Sequence, residues 1–166
     1  MELDEAKMKF IMSWGNLANN WGVNRTMGQI HGLLLASCRP LSAEEIMDAL
    51  KVSRGNVNMN LRSLMDWQIV HKHCEAGERK EFFVAEKDMW KVLIRIIHMR
   101  KKKELDPMVE LLEELSFVQP HCNDSKEFSK VIKDISHFSK KADSAIDNLI
   151  HAESSILMNT FIKMIR

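Results

Sequence analysis

LSAEEIMDALKVSRGNVNMNLRSL, residues 41–64, holds two amphipathic stretches joined by a very short turn. Ser42 and Glu45 have the spacing of a capping box, in which a hydroxyl and a carboxylate satisfy each other's backbone N–H, so a helix starts there. Ile46, Ala49 and Leu50 then recur at helical spacing and are expected to face inward. Lys51 and Val52 form the turn, and Ser53 is a good N-cap for a second helix. Val57, Leu61 and Leu64 line one face of that helix. A turn this short keeps the two helices from lying antiparallel, so they cross steeply and leave the outer face of the second one free.

That outer face and the first turn carry Arg54, Gly55, Asn56, Asn58, Met59 and Arg62 instead of the usual Glu and Lys. Arg pairs with guanine O6 and N7, and Asn with adenine N6 and N7. A helix presenting these groups from its N-terminal end is built to read base edges in a major groove. Gly55 removes a side chain where a backbone can approach phosphates, which the positive helix N-terminus favours. The competing reading of the asparagines is a plain solvated helix surface.

The flanking pattern decides between the two. After Trp67, Ile69–His73 reads as a strand, AGERK (76–80) as a turn around Gly77, and Glu81–Ala85 as a second strand. Upstream, residues 4–21 form a first helix ending near Gly22. Thr26 and Gln29 have capping-box spacing for a second helix through Ile30, Leu33, Leu34 and Leu35, closed by Pro40. The order helix, helix, helix, turn, helix, hairpin predicts a winged helix-turn-helix: a mainly α protein with a small β-hairpin wing. In this arrangement Ser42, Ser53, Arg54, Gly55, Asn56, Asn58, Met59 and Arg62 join the wing residues Arg79 and Lys80 as the DNA-contacting set.

Charge supports that placement. The whole chain of 166 residues carries a formal charge of only +1. Residues 51–80 hold six basic residues against three acidic ones, a local excess of +3. Basic charge is concentrated where a duplex would lie.

Beyond the hairpin, helical spacing returns from about Asp88 to Arg100. The run Arg100–Lys103 is read as a solvated helix end, and Pro107 as starting or kinking a further helix. QPHCND (119–124) is the clearest linker, and an uninterrupted helical pattern follows from Ser125 to Arg166. The expected organisation is a DNA-binding domain over 1–104 and a C-terminal helical dimerisation or effector region over 105–166. The terminal helices carry more apolar positions than a small wing domain can bury. Leu111, Leu112, Leu115, Ile146, Leu149, Ile150, Ile156, Leu157 and Phe161 are the dimerisation candidates, with an intrachain helical hairpin as the alternative.

Composition narrows the class. Hydrophobic residues make up 45% of the chain, enough for one domain with an appendage. The scarcity of Gly and Pro favours long helices, and the 12 methionines are read as helical core packing. The charged N-terminus is unlike a signal peptide, and the apolar runs are far shorter than the roughly 20 residues of a membrane span. Three isolated cysteines (Cys38, Cys74 and Cys122) give neither a disulfide framework nor a metal site. A soluble cytoplasmic protein, in the prokaryotic cytosol or nucleoid and away from any membrane, is the expectation.

At this point three segments resemble a known family. WGVNRTMGQIHGLLLAS, SRGNVNMNLRSL and AGERKEFFVAE are similar to conserved-pattern segments of MarR-type winged-helix regulators, within them the GbsR-like branch, over about residues 5–105. The chain departs from the branch pattern in several places. Gln29 stands where Arg is usual, Asn58 where Ser is usual, Gln68 where a helix-ending Gly is common, and Phe82 and Phe83 where Tyr is usual. The resemblance implies a homodimer, usually a repressor, on a pseudo-palindromic operator. It also implies a small-molecule effector of unknown identity; Trp14, Trp21 and Trp90 are the available aromatic walls for one.

An enzyme is not expected. The chain has no nucleophile elbow, no P-loop, no HExxH and no convincing carboxylate pair. The histidines lack metal-ligand spacing, so no metal or other cofactor is expected. The alternative function is a winged helix used for protein–protein interaction without specific DNA binding; the basic set at the groove-facing positions argues against it.

Overall fold

The computed structural model describes residues 1–73, 80–119 and 121–151. Arg79, the Gly77 turn, Cys74 and the dimerisation candidates Ile156, Leu157 and Phe161 lie outside the described residues. The elements in chain order are α1 (Leu3–Asn20), α2 (Arg25–Ala36), β1 (Leu41–Ser42), α3 (Ala43–Leu50), α4 (Arg54–Asp66), β2 (Val70–His73) and β3 (Phe82–Ala85). They are followed by α5 (Met89–Arg100), a π-helical turn (Lys101–Leu105), α6 (Asp106–Leu115) and α7 (Asn123–His151). The chain divides into two compact units, Met1–Val92 and Leu93–Arg166.

In the first unit α2 is the hub, packing on α1, α3, α4 and β3. Ile30 and Leu34 of α2, Ile46 of α3, and Val57, Leu61 and Leu64 of α4 are all buried. Each such side chain contributes roughly 1.5–3 kcal/mol by leaving water. Ala49, expected inward, is exposed, and Leu50 is half-buried. The helix is short enough that Ile46 alone supplies its fully buried contact.

The hairpin forms as expected, with Val70 opposite Ala85 and His73 opposite Phe82. A third strand joins it. Leu41 pairs with Phe83 and Ser42 with Phe82, giving an antiparallel sheet in the order β1-β3-β2. A two-residue strand has no period to read, so the segment is legible in sequence only as a helix cap. Along β3, Phe83 and Ala85 are buried while Phe82 and Val84 are half-buried, the alternation of a sheet with one face on the core.

Local chemistry sets the helix ends. Ser42 accepts from the Glu45 N–H and the Glu45 carboxylate accepts from the Ser42 N–H at 2.8 Å, completing the expected capping box. Arg39 also bonds Glu45, and together these contacts hold its carboxyl down at about 2. The start of α2 differs from expectation. Asn24 Oδ1 accepts from the Thr26 and Met27 N–H groups at 2.8 and 3.2 Å, so Asn24 is the cap. Gln29 does not reach back; its amide nitrogen lies 2.9 Å from the Met12 sulfur on α1. At its other end α2 is closed by Lys87, whose ammonium donates to the carbonyls of Leu34, Leu35 and Ser37. A cation suits the negative end of a helix.

In the second unit the helix runs from α5 through the π-turn into α6. Pro107 lacks an N–H and its ring would strike the carbonyl four residues back. The backbone answers by widening: the Asp106 N–H bonds the Lys101 carbonyl, an i→i+5 link. Lys101, read in sequence as part of a solvated basic end, is instead only 14% exposed. Its ammonium lies 2.8 Å from Asp143, 3.0 Å from Asp106 and 3.4 Å from Asp147, tying the π-turn to α7. Hydrogen bonds to Asp143 and Asp106 raise its pKa above the usual lysine value. Leu112 and Ile132 are buried here, and among the described residues no helix is long and apolar enough to cross a membrane.

Candidate nucleic-acid interface

The four residues that point α4 into the core are Val57, Asn60, Leu61 and Leu64. With that face committed, Arg54, Gly55, Asn58, Met59 and Arg62 are exposed together on the opposite side. Met59 is 59% exposed, a large apolar side chain offered to solvent among polar groups. Ser53 caps the helix, its hydroxyl accepting from the Asn56 N–H at 3.4 Å. A Cβ built on Gly55 would meet nothing within 4 Å, so nothing in the fold demands glycine there.

A cleft of about 330 Å³ opens beside this face, lined by Glu44 of α3, Arg54 and Asn58 of α4, and Lys80 and Glu81 ahead of β3. Lys80 is not simply displayed to solvent. Its ammonium lies 2.8 Å from the Glu44 carboxylate, and both side chains are more than half exposed. The hydrogen bond and charge of Lys80, with the more distant charge of Arg54, hold the Glu44 carboxyl below its usual range. On the hairpin, Lys72 pairs with Glu81 at 2.5 Å.

Ser42 lines the same cleft; the residue is buried and its hydroxyl is occupied as the α3 cap. Asn56 is half-buried and accepts a hydrogen bond from Asn60. Glu44 and Asn60 were not among the sequence candidates. The i,i+4 spacing of Asn56 and Asn60 was a readable signal for a side-chain pair on one helix face; the Glu44–Lys80 pairing, 36 residues apart, left none.

The aromatic candidates for an effector wall are otherwise engaged in part. Trp14 packs on Phe10 and donates its indole N–H to His31 Nδ1 at 3.2 Å, while Trp21 is exposed. No group of three or more His, Cys, Asp or Glu side chains among the described residues converges to hold a metal.

Over 112 residues the chain is 25% identical to the HTH-type transcriptional repressor GbsR of Bacillus subtilis (strain 168), a match covering 68% of this chain and 62% of that protein. The chain resembles the GbsR-type repressors. It is also 23% identical over 94 residues to the putative HTH-type transcriptional regulator YvaV of the same organism, covering 57% of this chain and 53% of that one. The matches thus span about half to three-fifths of these GbsR-type relatives. A crystal structure of a transcriptional regulator superposes with a TM-score of 0.68 at 19% identity, covering 87% of this chain and 95% of that one. The fold is therefore shared with that protein, and its helices with a small three-stranded antiparallel sheet are those of a winged helix. No family model matches the chain.

Proposed function

We propose that this chain is a sequence-specific double-stranded DNA-binding transcriptional regulator, a repressor, that acts in the cytosol. It binds a pseudo-palindromic operator as a homodimer, with α4 in the major groove and the wing, residues 69–85, on the backbone or minor groove. The observation that carries the reading is the division of α4: one face sealed into the core, the other presenting Arg54, Asn58, Met59 and Arg62. Gly55 adds to it. Glycine inside a helix costs up to about 1 kcal/mol relative to alanine, and with open space around it the residue has no packing reason to be there. A backbone approaching phosphates supplies one. The relatives matched are regulators and not enzymes, and no catalytic role is proposed.

Exposed apolar surface supports the dimer. Leu3, Phe10 and Leu17 on α1 and Trp21 at its C-cap are exposed, as are Met108, Leu111 and Phe138 on α6 and α7. Surfaces this apolar mark contact sites in soluble proteins. Of the candidates, Leu111 is exposed, and Leu115, Ile146, Leu149 and Ile150 are half-buried. Leu112 is already buried within the chain and is left out of the proposed interface.

The test is fluorescence-anisotropy titration of the duplex lying upstream of the gene and of a randomised duplex pool, at two salt concentrations. Preferential binding to the upstream duplex that survives added salt supports specific recognition. Weak and equal binding erased by salt would favour a protein-interaction module instead. Arg54→Ala or Arg62→Ala is expected to weaken specific binding by about 1–3 kcal/mol and to relax preference at one base pair per half-site.

A further inference from the structure

Asn56 and Asn60 lie one helical turn apart on α4, and Asn60 is only 3% exposed. The Asn60 side-chain nitrogen donates to the Asn56 backbone carbonyl at 2.8 Å and to the Asn56 side chain at 2.6 Å. These two contacts settle both amide orientations. A main-chain carbonyl only accepts, so the Asn60 atom facing it is the amide nitrogen. That same nitrogen meets the Asn56 side chain, whose contacting atom must then be its oxygen, because two amide NH2 groups at that distance would oppose donor to donor. The Asn56 oxygen is thus turned back to Asn60. Its NH2 group, with two donors, finds no acceptor among the described residues.

We propose that Asn60 is a positioning residue that makes Asn56 a donor-only reader of the duplex. The inference rests on the DNA-binding reading above and refines it. An asparagine with both amide atoms free pairs with adenine, accepting from N6 and donating to N7. With its oxygen turned back to Asn60, Asn56 leads with its NH2 group and instead selects a group that only accepts. Guanine alone among the bases offers two adjacent acceptors, O6 and N7, where thymine offers O4 beside a methyl group; a phosphate oxygen is the source of acceptors outside the bases. Asn60 does this from inside the core, with no contact to DNA of its own.

The experiment starts from duplexes selected on the full-length wild-type protein from a randomised pool. Each position of the selected site is then varied, including 7-deazaguanine for guanine and methylphosphonates for single phosphates. Affinities are compared for wild type, Asn56→Ala and Asn60→Leu, with melting temperatures measured alongside. The expected result is a guanine preference at one position per half-site, of about 5- to 100-fold over adenine. It is lost in Asn56→Ala and relaxed toward adenine in Asn60→Leu, while preferences elsewhere in the site stay unchanged. If the acceptor is a phosphate, Asn60→Leu weakens guanine and adenine duplexes alike, and a single methylphosphonate removes the difference between variant and wild type. Should Asn60→Leu fail to fold, Asn60→Ala removes the same donor. A lowered melting temperature with every base and phosphate preference intact would overturn the proposal and leave Asn60 as core packing. An adenine preference lost in Asn56→Ala would also overturn it. Selection of no sequence by the wild type would defeat the DNA-binding reading itself, and this inference with it.

Discussion

The Lys80 ammonium is held 2.8 Å from the carboxylate of Glu44, at the edge of the cleft beside α4. On the proposed docking Lys80 would meet DNA phosphates, yet in the free protein it is paired with an acidic side chain that would itself repel the duplex. Glu44→Gln is expected to tighten binding to all duplexes several-fold at low salt. It should also steepen the logarithmic salt dependence by about one unit as Lys80 gains a phosphate. Anisotropy titrations over a salt series read both. An unchanged slope would mean that Lys80 makes no phosphate contact.

Gly55→Ala separates stability from function. The substitution fits open space and is expected to raise stability by up to about 1 kcal/mol. On the proposed docking the added methyl stands between α4 and the phosphates, so operator affinity should fall at least several-fold. Urea denaturation and anisotropy on the same sample check the two opposite effects.

Gln68 sits at φ 60°, in the left-handed region, just after the end of α4. Its N–H bonds the Met65 carbonyl at 2.8 Å and the Ile69 N–H bonds the Leu64 carbonyl at 3.1 Å, with Leu64 and Ile69 both buried. This is a Schellman closure, which glycine occupies at least cost. Gln68→Gly is expected to stabilise the protein by about 1 kcal/mol, read as a rise of a few degrees in melting temperature.

Gly28 sits where α1 and α2 approach closely. A Cβ added there would lie 2.5 Å from the Ala18 Cβ and 3.0 Å from the Gly15 Cα. Neither helix can yield locally, because the obstruction includes backbone. Gly28→Ala should destabilise the Met1–Val92 unit by about 1–3 kcal/mol through overpacking, measured by chemical denaturation.

His31 is buried, accepts from the Trp14 indole at Nδ1, and therefore carries its proton on Nε2, which has no partner among the described residues. Burial, with the charge of Lys87 adding to it, lowers its pKa to about 4 from an ordinary value of 6.5. The unfolded chain binds the extra proton first, so stability is complete above about pH 6.5 and is lost as the pH falls toward 4. The loss reaches about 3 kcal/mol across that window. Denaturation curves at stepped pH should show the decline, and His31→Phe should flatten it.

What could be read directly from the chain was set mostly by neighbours a few residues apart. The capping box of Ser42 and Glu45, the cap at Ser53, the inward stripe of Val57, Leu61 and Leu64 and the two strands after Trp67 are all local relations. They sufficed for the winged architecture and for the exposed face of α4. Tertiary structure alone decided what those side chains meet. It recruited Leu41 and Ser42 as a third strand, because β3 offered an open edge. It drew Lys101 in among three aspartates, two of them from α7, and put Gln29 against Met12 where a cap was expected. It paired Lys80 with Glu44 across 36 residues and turned Asn56 toward a buried Asn60. Periodicity tells which face of a helix turns inward. Which distant group waits there, and which atoms of a polar side chain remain free, depends on how the elements pack.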